Sequence, residues 1–347
     1  MKYQKDKQTK VNEFLPKEPK PTYPQVWSAY NQAQTKEKLL FMHLLRELAD
    51  FVVDDSVKCS GRPSVNVNEM LFCLGLATYV GKSSRRLISD IAIAEEMRYI
   101  TKKYHFNTIL KYFNKPELKA VIKDLITLSS LPLKPFEEHF AVDSSGFSTT
   151  MYAHWFEHKW KGNSQKRIWR KAHVMSGART NVITSIEVTP SNVADSRMFQ
   201  PLVKETAQYF KLIEVSADKA YSSRANLKVV HDHMGVPFIP FKKNATGRMK
   251  GCLIWRRMYN LFTKNYEEFA KHYHLRSNSE TVFAMIKRKF SPKLRCKSEA
   301  GQDNEILLMA LCHNICCLIQ EFFELGAKID FNLCAELLPA HKLKYFN

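Results

Sequence analysis

Tyr273, Arg276, Glu280 and Lys287 fall at offsets of 3, 7 and 14 residues from the first. On a helix turning about 100° per residue, all four lie within an arc of about 60°. Val282, Ile286 and Phe290 lie on the other side, so one face packs while a single acid flanked by Tyr, Arg and Lys points away. Alone, this would be a solvated face with an Arg276–Glu280 ion pair worth tenths of a kcal/mol. Two more acids change that. Asp143 follows the apolar run HFAV and Asp218 follows IEVSA, so each is expected to close a buried strand, at the sheet edge where open α/β sheets build sites. Three clustered carboxylates would repel one another and raise their own pKa values. Bound cations remove that conflict, and carboxylate oxygens are the ligands Mg²⁺ prefers. Two such ions, about 3.5–4 Å apart, can stabilise the attacking and leaving oxygens of an in-line displacement at phosphorus. The expectation is that Asp143, Asp218 and Glu280 are both catalytic residues and metal ligands for two Mg²⁺, with Mn²⁺ able to substitute. Tyr273, Arg276 and Lys287 would then hold phosphates near the reacting bond.

The overall charge agrees with a polyanionic partner. The chain has 347 residues, with 53 Lys and Arg against 34 Asp and Glu, a net charge of +19. Self-repulsion on that scale is relieved by a polyanion, nucleic acid before an anionic membrane surface. Apolar residues make up 45% of the chain, enough for a sizeable core. No uninterrupted run of about 18 apolar residues appears, and the N-terminal MKYQKDKQTKVNEF has no signal-peptide core. The eight cysteines sit mostly in apolar runs, as reduced thiols of a cytoplasmic protein would. Cys312, His313, Cys316 and Cys317 read as part of a buried helix in preference to a zinc site.

The elements that must position the acids fall in two regions. Residues 1–35, with Pro16, Pro19, Pro21 and Pro24, read as a flexible basic arm. Residues 36–135 are helical and form an expected all-α DNA-binding region. Within it a helix over Val67–Val80 stops at Gly81, and Ser83 and Ser84 are placed to cap the next helix. That arrangement suggests a helix-turn-helix, with Arg85 and Arg86 on DNA. Residues 136–325 change periodicity. Strands are expected near 139–143, 168–176, 182–189, 212–217 and 236–241, with helices at 195–210, 224–234, 266–289 and 304–325. This is the order of an α/β, ribonuclease-H-like mixed sheet flanked by helices. Residues 326–347 are a C-terminal tail. Between the first two strands, Lys159, Lys161, Arg167, Arg170 and Lys171 alternate with Trp155, Trp160 and Trp169, a pattern that suits phosphate backbone and exposed bases.

The spacing Tyr273-x2-Arg276-x3-Glu280-x6-Lys287 resembles, position for position, the Tyr-Arg-Glu-Lys signature of insertion-sequence-4-like transposases. AVDSSGF and VSADKAYSS are similar to the family's two aspartate motifs, with Ala220 where the family has Gly. KAHVMSGARTNVITSIEVTPSNVADSRMF resembles its second and third strands and following helix, in which Asp195 starts the helix. The resemblance covers about residues 138–320. It implies an enzyme that binds terminal inverted repeats of double-stranded DNA as a homodimer, nicks them with metal-activated water, and joins the freed 3′-hydroxyl to target DNA. Only 62 positions separate Asp218 from Glu280 (280 − 218), too few for the large β-rich insertion of some relatives. Trp255 could stack on a flipped base, but packing is the favoured role. Two alternatives keep the fold: a nuclease that does not join strands, and a non-catalytic DNA-binding protein derived from a transposase. The second is expected to have lost an acid, and all three are present.

Overall fold

The computed structural model describes residues 26–54, 65–149 and 169–345. It opens with helix α1 (Trp27–Asp50), which buries Phe41, Leu45 and Leu48 at helical spacing. Helix therefore begins inside the stretch read as a flexible arm, because Ala29 and Ala33 already pack inward. Strand β1 (Val53–Asp54) follows. Helix α2 (Val67–Val80) is capped by Asn66, whose side chain accepts from the amides of Asn68 and Glu69. It ends at Gly81, whose φ of 67° is strained for residues with a Cβ.

Helix α3 begins at Leu87 and runs to Glu96. Neither Ser83 nor Ser84 caps it. A backbone turn over 84–86 intervenes, with the Leu87 amide donating to the Ser83 carbonyl at 3.0 Å. Helices α4 (Phe106–Phe113) and α5 (Leu118–Ser130) complete the N-terminal set.

The sheet then forms from β2 (His139–Ser148), β3 (Trp169–Gly177) and β4 (Ile183–Pro190), joined antiparallel. Helix α6 (Asp195–Ala207) leads to β5 (Glu214–Ala217), and α7 (Arg224–Asp232) leads to β6 (Val236–Phe238). The strand order is β4-β3-β2-β5-β6, with β2, β5 and β6 parallel. It is a mixed sheet flanked by helices, as expected. Helices α8 (Leu253–Lys264), α9 (Tyr266–Tyr273), α10 (Ser277–Lys289), α11 (Glu299–Glu324) and α12 (Phe331–Ala335) follow. The tail is also built in, because β7 (Lys344–Tyr345) pairs in parallel with β1.

Helix α11 packs against α1, α2 and α5 as well as β4, so the N-terminal helices and the sheet share one core. By length and composition this helix is apolar enough to cross a membrane, although its apolar run is interrupted by polar residues. Its apolar window is 78% buried inside the protein, and several of its polar residues find partners there. Asn314, fully buried, accepts from the Ile183 amide at 2.8 Å and donates to the Ile183 carbonyl at 2.8 Å, pairing with β4 as a strand would. Cys312 and His313 lie in the same buried face, and the His313 ring nitrogen meets the Asn181 carbonyl at 2.9 Å. Arg170 of β3 is likewise consumed: its Nε donates to Asp303 of α11 at 2.8 Å, and its Nη2 reaches the same oxygen. Lys119 of α5 meets the other Asp303 oxygen at 2.9 Å.

Removing Asp303 leaves a buried guanidinium with only the exposed Glu299, 3.5 Å away, as counter-charge. Asp303→Ala is expected to cost about 3–5 kcal/mol in urea unfolding. The double change Arg170→Met, Asp303→Leu recovers most of that loss. An unchanged midpoint for Asp303→Ala would show that the pair does not hold α11 to the sheet.

Candidate active site

Strands β2 and β5 run in register from His139 beside Glu214 to Val142 beside Ala217. The next residues along each strand are Asp143 and Asp218, which stand where the pairing stops and the two strands part. Asp218 leaves the sheet into a short 3-10 turn (Lys219–Tyr221), and its carboxylate accepts from the Lys219 amide at 2.6 Å. Asp143, by contrast, does not close its strand. β2 continues to Ser148 because β3 pairs with it along its length, from Phe140 beside Gly177 to Ser148 beside Trp169. The Ser-Ser-Gly sequence signals a turn, but this pairing and the burial of Phe147 override it.

The third acid arrives on a bent support. The expected helix over 266–289 is broken into α9, a 3-10 turn (His274–Arg276) and α10. Ser277 Oγ donates to the His274 carbonyl at 2.9 Å and Ser279 Oγ to the Arg276 carbonyl at 2.8 Å. Such back-bonding bends helices. Asn278 also donates to the Ala178 carbonyl in the β3–β4 turn, fixing the start of α10 to the sheet. Ser279 is thereby buried, with Oγ 3.5 Å from Asp143 Oδ2. The sequence reading passed over Ser279; its signal was its position directly before Glu280.

Arg276 joins the acids. Its Nη2 lies 3.0 Å from Glu280 Oε1 and 3.9 Å from Asp143 Oδ2. Burial raises the Asp143 carboxyl above the usual aspartate range. The Ser144 amide and Arg276 oppose that shift, and the charges of Glu280 and Asp218 add to it. Glu280 itself is 62% exposed. Lys287 donates from Nζ to Ser145 Oγ at 2.6 Å and stands over the Phe147 ring, two and four residues along β2 from Asp143. Burial lowers its pKa. Tyr273 packs its ring on Phe269, and burial raises its hydroxyl pKa.

The donors are all oxygen, and Asp143 is a half-buried carboxylate crowded by two others, which is chemistry a hard divalent cation stabilises. The fit is good for the two aspartates and conditional for Glu280, which is paired with Arg276. Among the described residues, no three His, Cys, Asp or Glu side chains are grouped to hold a metal as they stand.

On the opposite sheet face, His173 lies beside Ser144 in register. Burial pushes its pKa down to about 4, so the ring is neutral at pH 7. Its Nε2 meets Thr189 Oγ1 at 2.9 Å. Asp195, the first residue of α6 as expected, takes Lys171 Nζ at 2.7 Å. Lys171 and Arg170 are therefore both occupied by protein carboxylates, and the buried Arg170 is not open to phosphate. Lys159, Lys161 and Arg167 lie outside the described residues. Arg85 and Arg86 are exposed in the turn before α3, Arg85 with its guanidinium 5.1 Å from the Phe106 ring centre. Trp255 is 5% exposed and donates from Nε1 to the Thr246 carbonyl at 2.8 Å, a packing residue.

A family model described as a transposase DDE domain matches residues 134–315, more than half of the chain. The chain belongs to the DDE transposase family. The match spans β2 through most of α11 and includes all three acids. Over 313 residues the chain is 24% identical to a probable transposase for insertion sequence element ISA1214 of Archaeoglobus fulgidus, covering 88% of this chain and 91% of that protein. It also has a loose likeness to a cryo-EM structure of the piggyBac transposase synaptic complex with hairpin DNA. That likeness has a TM-score of 0.40 and 10% identity, over 86% of this chain and 78% of that one.

Among the described residues of this DDE domain, Arg276 is the cation paired with Asp143. Arg276→Gln is expected to raise the Asp143 pKa further, read by carboxyl NMR titration of carbon-13-labelled protein. An unmoved titration would mean the guanidinium does not act on that carboxylate.

Proposed function

We propose that the chain is an insertion-sequence transposase that cuts and joins DNA through Asp143, Asp218 and Glu280. The observation that carries this is the β2–β5 register, which ends with Asp143 and Asp218 in one row and has Glu280 reaching the same place through Arg276. The strand order, three antiparallel strands followed by two parallel ones on the first, is that expected of a ribonuclease-H-like sheet. Membership of the DDE family and the name of the archaeal relative support the same reading.

Asp143, Asp218 and Glu280 would hold the two Mg²⁺ or Mn²⁺ ions. When bound, such ions supply an activated water or 3′-hydroxyl and stabilise the leaving oxygen. The chain's own groups do the rest. The Ser144 amide and Ser279 hydroxyl orient Asp143, and the Lys219 amide orients Asp218. Glu280, being exposed, is free to swing from Arg276 towards the aspartates, and Arg276 is then released to pair with a phosphate. Lys287, kept beside β2 by Ser145, offers a second cation, and Tyr273 borders the same path. Arg85, Arg86 and the hairpin cations Lys159, Lys161 and Arg167 would position duplex ends, with two copies of the chain bringing two ends together.

The test is cleavage of duplex carrying the element's own ends, with Mg²⁺ or Mn²⁺. Metal-dependent cuts at the ends are expected, followed by joining to a second duplex. Asp143→Asn and Glu280→Gln should each lower cutting by about 10³-fold or more with end binding retained, as when a group acting in the transition state is removed. Tight end binding by the wild type without cutting would favour a non-catalytic binder. Cutting without joining would favour a nuclease. Equal loss of binding and cutting in Glu280→Gln would make that residue structural.

A further inference from the structure

Between Asp232 and Glu267 the chain contains no acid, yet it carries seven Lys and Arg, six of them within 242–257: Lys242, Lys243, Arg248, Lys250, Arg256 and Arg257. All six are exposed. None has a carboxylate partner among the described residues. Several cations nearer the sheet are matched, Lys123 with Glu187, Lys171 with Asp195 and Lys289 with Glu37, whereas this stretch holds none that is. Six unmatched charges on one segment repel each other, and the protein tolerates that cost where no carboxylate relieves it.

The segment is nonetheless well built. Phe241 meets the Trp255 ring edge-on at 4.7 Å, and the Arg224 guanidinium lies 4.5 Å from the centre of the same ring. Arg224 also donates to the Arg248 carbonyl at 2.9 Å. These contacts fold residues 239–252 onto α8, so the cations sit on a fixed surface. Helix α8 packs against α7, which follows Asp218, and against α9, which leads to Arg276 and Glu280. The surface is therefore fastened to both flanks of the candidate site.

We infer that this surface binds the phosphate backbone of duplex DNA beside the catalytic acids, without reading bases. The inference rests on the proposed function and names a contact surface for its substrate. Closely set Lys and Arg suit a track of phosphates. Single strands are instead held by exposed aromatic rings. Here Phe238, Phe241 and Trp255 are buried and Tyr259 and Phe262 half-buried; only Tyr266, at the junction with α9, is exposed.

The experiment compares full-length wild type with the variant Lys243→Gln, Arg248→Gln, Arg256→Gln, Arg257→Gln. Each is titrated with salt on an end-carrying duplex, an unrelated duplex and a single strand of equal length. For both duplexes the slope of log K against log salt should fall by about 3–4, roughly 0.9 for each phosphate left without its cation. Metal-dependent cutting at saturating DNA should persist. Arg248→Lys, Arg256→Lys, Arg257→Lys should keep the wild-type slope. An unchanged slope overturns the inference, as does a loss confined to the end-carrying duplex or to the single strand. If duplex binding is unchanged while sedimentation shows a lost dimer, the surface belongs to a second copy of the chain. A wild type that cuts ends while the variant keeps its slope leaves the proposed function standing; a wild type that binds no duplex sinks both.

Discussion

The parallel register of β2 with β5 is the constraint on which the site depends. A slip of one residue would turn every side chain on β5 to the other face, carrying Asp218 away from Asp143. What prevents the slip is burial on both sides of the row. Phe140, Ala141 and Val142 on one strand, and Val215, Ser216 and Ala217 on the other, are all essentially enclosed. The same row then meets its first charges at Asp143 and Asp218, so the site begins where the apolar strip runs out.

Bringing acids together has an electrostatic cost, and Arg276 offsets part of it. It contacts two acids from the turn between α9 and α10, where two serines bond back to carbonyls. The bend and the charge balance are thus one feature. A straight helix would carry Arg276 and Glu280 as an ordinary solvated pair, with Ser279 no nearer the sheet than any other side chain.

Much of this was legible in the sequence. The strands at 169–177, 183–190 and 214–217 lie within a residue or two of their expected spans, since alternation and apolar runs report burial directly. What escaped depended on partners far away in the chain. Asp143 lies mid-strand because β3 continues alongside it. The serines at 277 and 279 bend a helix whose local pattern is regular. Helix α8 has Ile254, Trp255 and Met258 at inward-facing spacing, but the Lys- and Arg-rich neighbourhood hides that spacing in the sequence. Arg170 looked like a DNA contact, but Asp303, 133 residues on, claims it.

Helix α11 has a consequence for synthesis. Helices α1, α2 and α5 leave the ribosome early, but the apolar surface that covers them is 299–324, and the strand that pairs with β1 is 344–345. The first helices therefore emerge packed on one another but without the cover of α11. Domains generally fold in the order in which they are made; here the helices within 27–130 wait for residues 299–324 to complete their packing. A fragment that stops before residue 299 would leave exposed the apolar surface of α1, α2 and α5 that α11 covers.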